Sequence, residues 1–474
     1  MIFLDLAYIF FLILVSPAIL YRMARYGKYR EGLSEKFLGR APSLPPSSRK
    51  RVWLHAVSVG EVNLLKPILA QLRQDRPDWE FVVSATSKTG HALAKKLFQN
   101  QPGSVGTVDK ADGGNNVAAV FYCPLDFSWA VNSAISRIKP DMLVLIELEL
   151  WPNLVRAAFR RGVKVAIANG RISDGSYRSY RWIRRFLRGT FSSLDLVAAS
   201  DELNAGYFRE LGADPAKMVV TGSIKFDGVR TERNNPKTVE LANLAGIQLG
   251  FGQAKEQDTV FLAGSTQDPE EEMALNTFRG LSGEYPNLKL ILVPRHPERF
   301  DAVARMLEGS GLPWTRRSNL YATGKAEARD SQETGKRANP TEAERAEAER
   351  TKTERILLID TIGELGAWWG TAAIAFVGGS MGKRGGQNML EPAGYGAAVC
   401  FGPNTKNFRD ISERMLRADA AEVVHDETEM TGFVRRALAD PAWRGEIGGR
   451  ARQLVLDQRG ACRKTAELLE WLLD

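Results

Sequence analysis

Several polar clusters in this chain stand directly behind runs of apolar, often β-branched residues, which is where open α/β sheets place their ligands. The first is Ser58, Gly60 and Glu61, following the run Val52–Val57. A carboxylate at the start of the next helix suits a general base for an attacking hydroxyl, and equally a cap matched to the helix dipole. The second is Glu147 and Glu149, placed after Met142–Ile146 and before the break at Trp151-Pro152-Asn153. Either carboxylate can face a ligand there, and the pattern does not choose between them. The third is Lys225 within TGSIKFD, Thr221–Asp227. An ammonium beside a Thr-Gly-Ser turn is placed to meet negative charge that develops during group transfer. The fourth is VPRHPERF, where Arg295 and His296 follow a strand. Arginine in that position suits a phosphate or sugar carboxylate, or a plain surface ion pair. In ILLIDTIGELGAW, Gly363 and Glu364 lie just beyond another apolar run, Ile356–Ile359.

The most nucleotide-like stretch comes late. From Gly378 to Glu391 the chain reads GGSMGKRGGQNMLE, running from the apolar segment Ala372–Val377 into a predicted helix start. Glycines let backbone N–H groups approach an anion closely, and a helix N-terminus adds positive partial charge. Glu391 then falls in the first turns of that helix, where it can accept both hydroxyls of a ribose. This spacing predicts a phosphate-cradling loop.

Positioning these groups requires parallel strands covered on both faces. Apolar runs at Phe81–Ala85, Ala118–Cys123, Val163–Ala168, Leu194–Ala199 and Met218–Thr221 join the two already named. After a Pro-, Asn- and charge-rich break near Arg230–Gln257 the alternation resumes. It runs through Val260–Ala263, Leu288–Val293, Ile356–Ile359, Ile374–Val377, Val399–Phe401 and Glu422–His425. Runs without strict alternation suit parallel sheets. The predicted architecture is α/β, two doubly wound domains. Its boundaries are a first domain over 31–230, a linker or insertion over 231–257, and a second domain over 258–474 that includes the C-terminal helix. The segment Gly324–Arg355 is highly charged and devoid of large apolar residues, so it reads as an insertion that adds nothing to a core.

Residues 1–30 carry the compartment signal. Ile2–Tyr21 is apolar apart from Asp5 and Ser16, about the ~20 residues that a bilayer-spanning helix needs. Arg22, Arg25, Lys28 and Arg30 follow, which predicts an uncleaved membrane anchor with the rest of the chain on the cytoplasmic side. The 474 residues carry a net charge of +8, which favours an anionic partner such as a membrane surface. Tyr177–Arg188, YRSYRWIRRFLR, adds a basic amphipathic stretch of the type that lies on anionic lipid. Three scattered cysteines and four histidines, with no CxxC, argue against a disulfide framework or a zinc site.

Taken in order, these blocks resemble one family. HAVSVGE, SATSKTGHALAKK, IELELWPNL, NGRISD, TGSIKFD, LVPRHPERF, DTIGELGAWW and FVGGSMGKRGGQNMLEP, continuing into FGPNTKNF, are similar to the lipid A-specific 3-deoxy-D-manno-octulosonic acid (Kdo) transferases. These are inverting glycosyltransferases of the GT-B type, with two Rossmann-like domains facing a cleft. The resemblance implies that Glu61 is the proton acceptor, and that Glu147 and Lys225 stabilise the transition state. It implies cytidine monophosphate held by Pro294 and Arg295, by Ile362, Gly363 and Glu364, and by Asn388, Met389, Leu390 and Glu391. It also implies CMP-Kdo as donor, a lipid A precursor (lipid IVA) as acceptor, no metal or other cofactor, no nucleic acid, and a place on the cytoplasmic face of the inner membrane. The insertions Gln101–Asn116, part of Thr231–Gln257 and Gly324–Arg355 depart from the family pattern. A GT-B enzyme using a UDP-sugar, or a non-enzymatic membrane-tethered nucleotide-binding module, are the competing readings of the same pattern.

Overall fold

The computed structural model describes residues 2–26, 31–99, 116–148, 150–249, 258–320 and 354–474. Glu149, Lys28, Arg30, and nearly all of the segments Gln101–Asn116 and Gly324–Arg355 lie outside the described residues. The chain divides into two units, the first formed by Met1–Gly228 with Gln458–Asp474 and the second by Val229–Asp457.

The first unit is built on β1 (Arg51–Ala56), β2 (Glu80–Ala85), β3 (Val117–Tyr122), β4 (Met142–Ile146), β5 (Lys164–Gly170), β6 (Leu196–Ala199) and β7 (Met218–Val220). Every pairing is parallel, in the order β3-β2-β1-β4-β5-β6-β7, so the strand order reverses beside β1, between β1 and β4. Alternate residues of one strand feed opposite layers. Val52, Leu54 and Ala56 join one apolar cluster with Met142, Val144 and Ile146, while Trp53 joins the other with Leu143 and Leu145. A strand buried on both sides must be apolar at every position, which is why these runs do not alternate.

Two expectations about the ends of the chain are corrected here. The C-terminal helix Ala461–Leu473 belongs to the first unit rather than the second. Its Ala461, Cys462, Ala466 and Leu469 enter the cluster that holds Leu54, and Asp227 caps it by accepting from the N–H groups of Gly460 (2.6 Å) and Cys462 (2.5 Å). At the other end, Ile2–Tyr26 is one helix, yet among the described residues no helix is long and apolar enough to cross a membrane. The predicted anchor is therefore not supported as a membrane-spanning helix. The physical reason lies in Asp5, which is buried against protein: its Oδ1 accepts from Ser128 N (2.8 Å) and Asn153 Nδ2 (3.1 Å). One turn on, the Tyr8 hydroxyl donates to Asp126 (3.0 Å). The opposite side of the helix leaves Leu6, Phe10, Phe11, Ile13 and Leu14 exposed.

The second unit repeats the plan with β8 (Thr259–Thr266), β9 (Leu288–Pro294), β10 (Trp314–Arg316), β11 (Ile356–Leu358), β12 (Ile374–Val377), β13 (Ala398–Phe401) and β14 (Ala421–Val423). The order is β10-β11-β9-β8-β12-β13-β14, again parallel throughout, with the reversal at β8 and β12. The predicted linker 231–257 is in part a packed element of this unit. Arg233 donates to the carbonyls of Tyr395, Gly370 and Ala372, and the helix Pro236–Leu244 buries Thr238 and Leu241. A guanidinium with three carbonyl partners is a structural tie, which its charge alone does not reveal in sequence.

Candidate active site

In the first unit, Ser58 caps the helix Val59–Asp75 and Glu61 answers it. Ser58 Oγ accepts from the Glu61 N–H (3.4 Å), and in return Glu61 Oε1 accepts from the Ser58 hydroxyl (2.7 Å) and Oε2 from the Val57 N–H (2.7 Å), a variant of the capping box. The side chain is 8% exposed, so the capping role is real and it also removes the carboxylate from bulk water. That burial raises its pKa above the ordinary carboxylate value; the Val57 and Ser58 bonds pull the other way, and the charge of Glu147 pushes it up again. A carboxylate with two of its ~four lone-pair sites used retains room for a proton.

Glu147 sits just past β4 with φ of 58°, a left-handed backbone that its N–H fixes by donating to Ala168 O (3.0 Å). Its carboxylate meets the Lys225 ammonium at 3.1 Å, both groups partly exposed. Lys225 rides on the short turn Ile224–Phe226, whose first N–H donates to Asn169 Oδ1 (2.9 Å). Asn169 is wholly buried, also left-handed (φ 55°), and its Nδ2 has no protein partner. The end of β5 thus holds both members of the ion pair: Ala168 fixes the backbone of Glu147 and Asn169 fixes the turn of Lys225. Glu61, Glu147 and Lys225 are brought together at the carboxyl edge of this sheet. Asn169 was not singled out from sequence, although its presence in NGRISD directly after an apolar run was a usable signal.

In the second unit, β9 delivers Pro294, buried, and Arg295, exposed, with Arg295 N donating to Thr266 O (3.0 Å). Arg295 and Arg230 both act electrostatically on Glu391, whose pKa burial raises while these two arginines and the Asn388 amide oppose the rise. Asn388 Nδ2 donates to Glu391 Oε1 (3.2 Å), and Asn388 Oδ1 accepts from Leu390 N (3.2 Å). Met389 and Leu390 are fully buried, so their side chains belong to the core. The turn at Ile362–Glu364 lies close by, since a Cβ on Gly366 would fall 3.7 Å from Glu391 Oε2. Ile362 is exposed and Gly363 is left-handed (φ 91°). The Glu364 carboxylate is engaged by Arg317 through two 3.1 Å contacts and by the Thr361 hydroxyl (2.7 Å), contacts that brace the turn.

The glycine loop departs from expectation. The N–H groups of Gly379, Ser380 and Met381 all donate to Glu270, at 2.7, 2.9 and 2.9 Å. Those amides hold a carboxylate of the chain itself, and the helix that follows, Leu390–Gly394, has only five residues. The predicted phosphate cradle at the start of this loop is corrected accordingly: the glycines are needed to wrap an internal anion. A Cβ on Gly378 would lie 2.7 Å from Glu270 Oε2 and 2.6 Å from Thr266 Cα. Among the described residues no group of three or more His, Cys, Asp or Glu side chains is placed to hold a metal ion.

With this geometry in hand, known proteins give the context. Residues 25–228 match the family model described as 3-deoxy-D-manno-octulosonic-acid transferase (kdotransferase). The 3-deoxy-D-manno-octulosonic acid transferase of Haemophilus influenzae is 30% identical over 450 residues, 94% of this chain and 92% of that protein. The protein of the same name from Bordetella pertussis is 31% identical over 458 residues, covering 95% and 94%. Among solved structures, a glycosyltransferase from Rickettsia africae superposes with a TM-score of 0.50 at 11% identity, over 90% of this chain and 100% of that one. At that identity the likeness concerns the fold alone.

Proposed function

The chain belongs to the Kdo transferase family of GT-B glycosyltransferases, and from that premise we propose that it moves Kdo from CMP-Kdo to the lipid A precursor lipid IVA, with inversion at the anomeric carbon. The observation that carries the mechanism is Glu61, a buried carboxylate whose pKa is raised by its burial and by the charge of Glu147, itself paired with Lys225. A hydroxyl oxygen of the acceptor attacks the anomeric carbon of Kdo while Glu61 takes the hydroxyl proton. The bond from that carbon to the phosphate oxygen breaks, its electron pair leaves with CMP, and inversion follows from attack opposite the leaving group. Lys225, held by Glu147, offers positive charge to the carboxylated sugar as its bonding changes. Arg295 supplies charge to the departing phosphate, and Asn388 with Glu391 holds the ribose. Ile362 and Gly363 contribute contact surface and backbone beside that site, and Met389 and Leu390 contribute backbone. No step calls for a metal.

The same reading places the protein at the cytoplasmic face of the inner membrane by peripheral attachment. Two features of the first unit support this: the exposed apolar side of the helix Ile2–Tyr26, and the exposed Trp182 and Phe186 among Arg178, Arg181, Arg184, Arg185 and Arg188. Aromatic side chains interleaved with arginines suit an anionic lipid headgroup layer.

The test is to incubate the purified protein with CMP-Kdo and lipid IVA and to weigh the lipid products. Products heavier by whole Kdo units, with stoichiometric release of CMP, are expected. An unchanged lipid, or a product formed only when a UDP-sugar replaces CMP-Kdo, contradicts the proposal.

A further inference from the structure

We propose that Glu270 is a positioning residue for the donor nucleotide: a built-in anion that ties together the two backbone segments flanking that site. The inference rests on the reading that Arg295 and Asn388–Glu391 hold CMP, and it names what fixes them relative to each other. Glu270 opens the helix Glu270–Leu281 and is 1% exposed. Its Oε2 accepts from Gln267 N (2.9 Å) and Gly379 N (2.7 Å), and its Oε1 from Ser380 N and Met381 N (both 2.9 Å). Four backbone amides on one carboxylate form the kind of nest that elsewhere captures a phosphate.

Each donor belongs to one edge of the nucleotide site. Gln267 follows Thr266, whose carbonyl holds the backbone of Arg295. On the other edge, Gly379 O accepts from Gly386 N (2.7 Å), two residues before Asn388. Ser380 Oγ accepts from Gly402 N (2.8 Å) and donates to Val377 O (2.6 Å), which binds the loop to the ends of β12 and β13. The carboxylate therefore acts through the backbone on both Arg295 and Asn388, and contact with substrate is no part of its role. A neutral amide in its place would turn an NH2 group toward N–H donors and leave buried amides unpaired, which costs far more than the loss of a single bond.

Two measurements on the full chain test this. Amide hydrogen exchange of the parent protein without nucleotide should show Gly379, Ser380 and Met381 already protected, with little change on adding CMP. Fast exchange that slows only when CMP is added would assign those amides to the ligand and overturn the proposal. In Glu270→Gln, the dissociation constant for CMP and the KM for the donor should both rise about tenfold or more, with the acceptor KM unchanged and kcat reduced less than donor affinity. A folded Glu270→Gln protein that binds CMP like the parent, or one whose kcat falls while donor KM stays fixed, also overturns it. Should the variant fail to fold, the exchange measurement on the parent decides alone. If the parent binds no CMP at all, the donor assignment fails, and the nucleotide-free exchange rates still report whether Glu270 holds the loop.

Discussion

At the scale of single residues, the proposed chemistry rests on one carboxylate being harder to ionise than usual. In the proposed reaction Glu61 takes the proton only when deprotonated, and burial with the neighbouring Glu147 charge holds its pKa above the usual 4.5. Activity should therefore rise with pH along an acid limb positioned above that value. Replacing Glu147 with Gln removes a negative neighbour and frees the Lys225 charge, both of which favour ionised Glu61, so the acid limb of kcat/KM should move to lower pH as kcat falls. A limb that stays in place or moves upward in Glu147→Gln contradicts the coupling. Most of the proposed site residues were legible in sequence because they stand directly after apolar runs. Glu270 and Asn169 were not. Glu270 lies in an acidic run, Pro269-Glu270-Glu271-Glu272, that reads as an ordinary helix start, and only the fold brings Gly379–Met381 onto it. The choice between Glu147 and Glu149 came from family resemblance alone; Glu149 lies outside the described residues.

At the scale of elements, the strands were the most legible feature, because a parallel strand buried on both faces writes itself as an unbroken apolar run. The short edge strand β10, Trp314-Thr315-Arg316, escaped since it has no such run and makes its contacts through backbone pairing with β11. The N-terminal apolar run is legible as a helix, while its length alone does not distinguish a span from a docked helix. Asp5, which reads as a blemish in an apolar stretch, is the residue that docks it. The stretch Tyr177–Arg188 divides into the helices Asp174–Trp182 and Arg184–Phe191 at Ile183, and Trp182 is 89% exposed rather than packed against the protein. An aromatic side chain left in solvent beside arginines is the element-scale argument for lipid contact. The double substitution Arg184→Glu/Arg188→Glu should lower the affinity of the full chain for anionic vesicles by about tenfold or more, and high salt should reduce the difference. Equal binding by the parent and the double variant at low salt would remove this surface from membrane attachment.

At the scale of the whole molecule, the proposed reaction divides its labour between two parallel sheets. The first unit presents Glu61 with the Glu147–Lys225 pair, and the second presents Arg295, Asn388 and Glu391. The sequence pattern announced this duplication and the family likeness named it, but it assigned the last helix to the second unit. The chain returns to the first unit after Asp457, and nothing local in Arg463–Leu473 records which core its apolar face enters. The glycine loop carries the opposite lesson. Its composition predicts a phosphate-cradling loop, whereas the anion wrapped at its start is a carboxylate of the chain itself, distant in sequence.

In the proposed reaction proton removal belongs to one unit and nucleotide binding to the other. Glu61→Gln separates them in a single preparation, by steady-state turnover and by CMP titration. Turnover should fall by ~10²-fold or more with the CMP dissociation constant unchanged. Near-parental turnover, or a loss of CMP binding that matches the loss of activity, would contradict it.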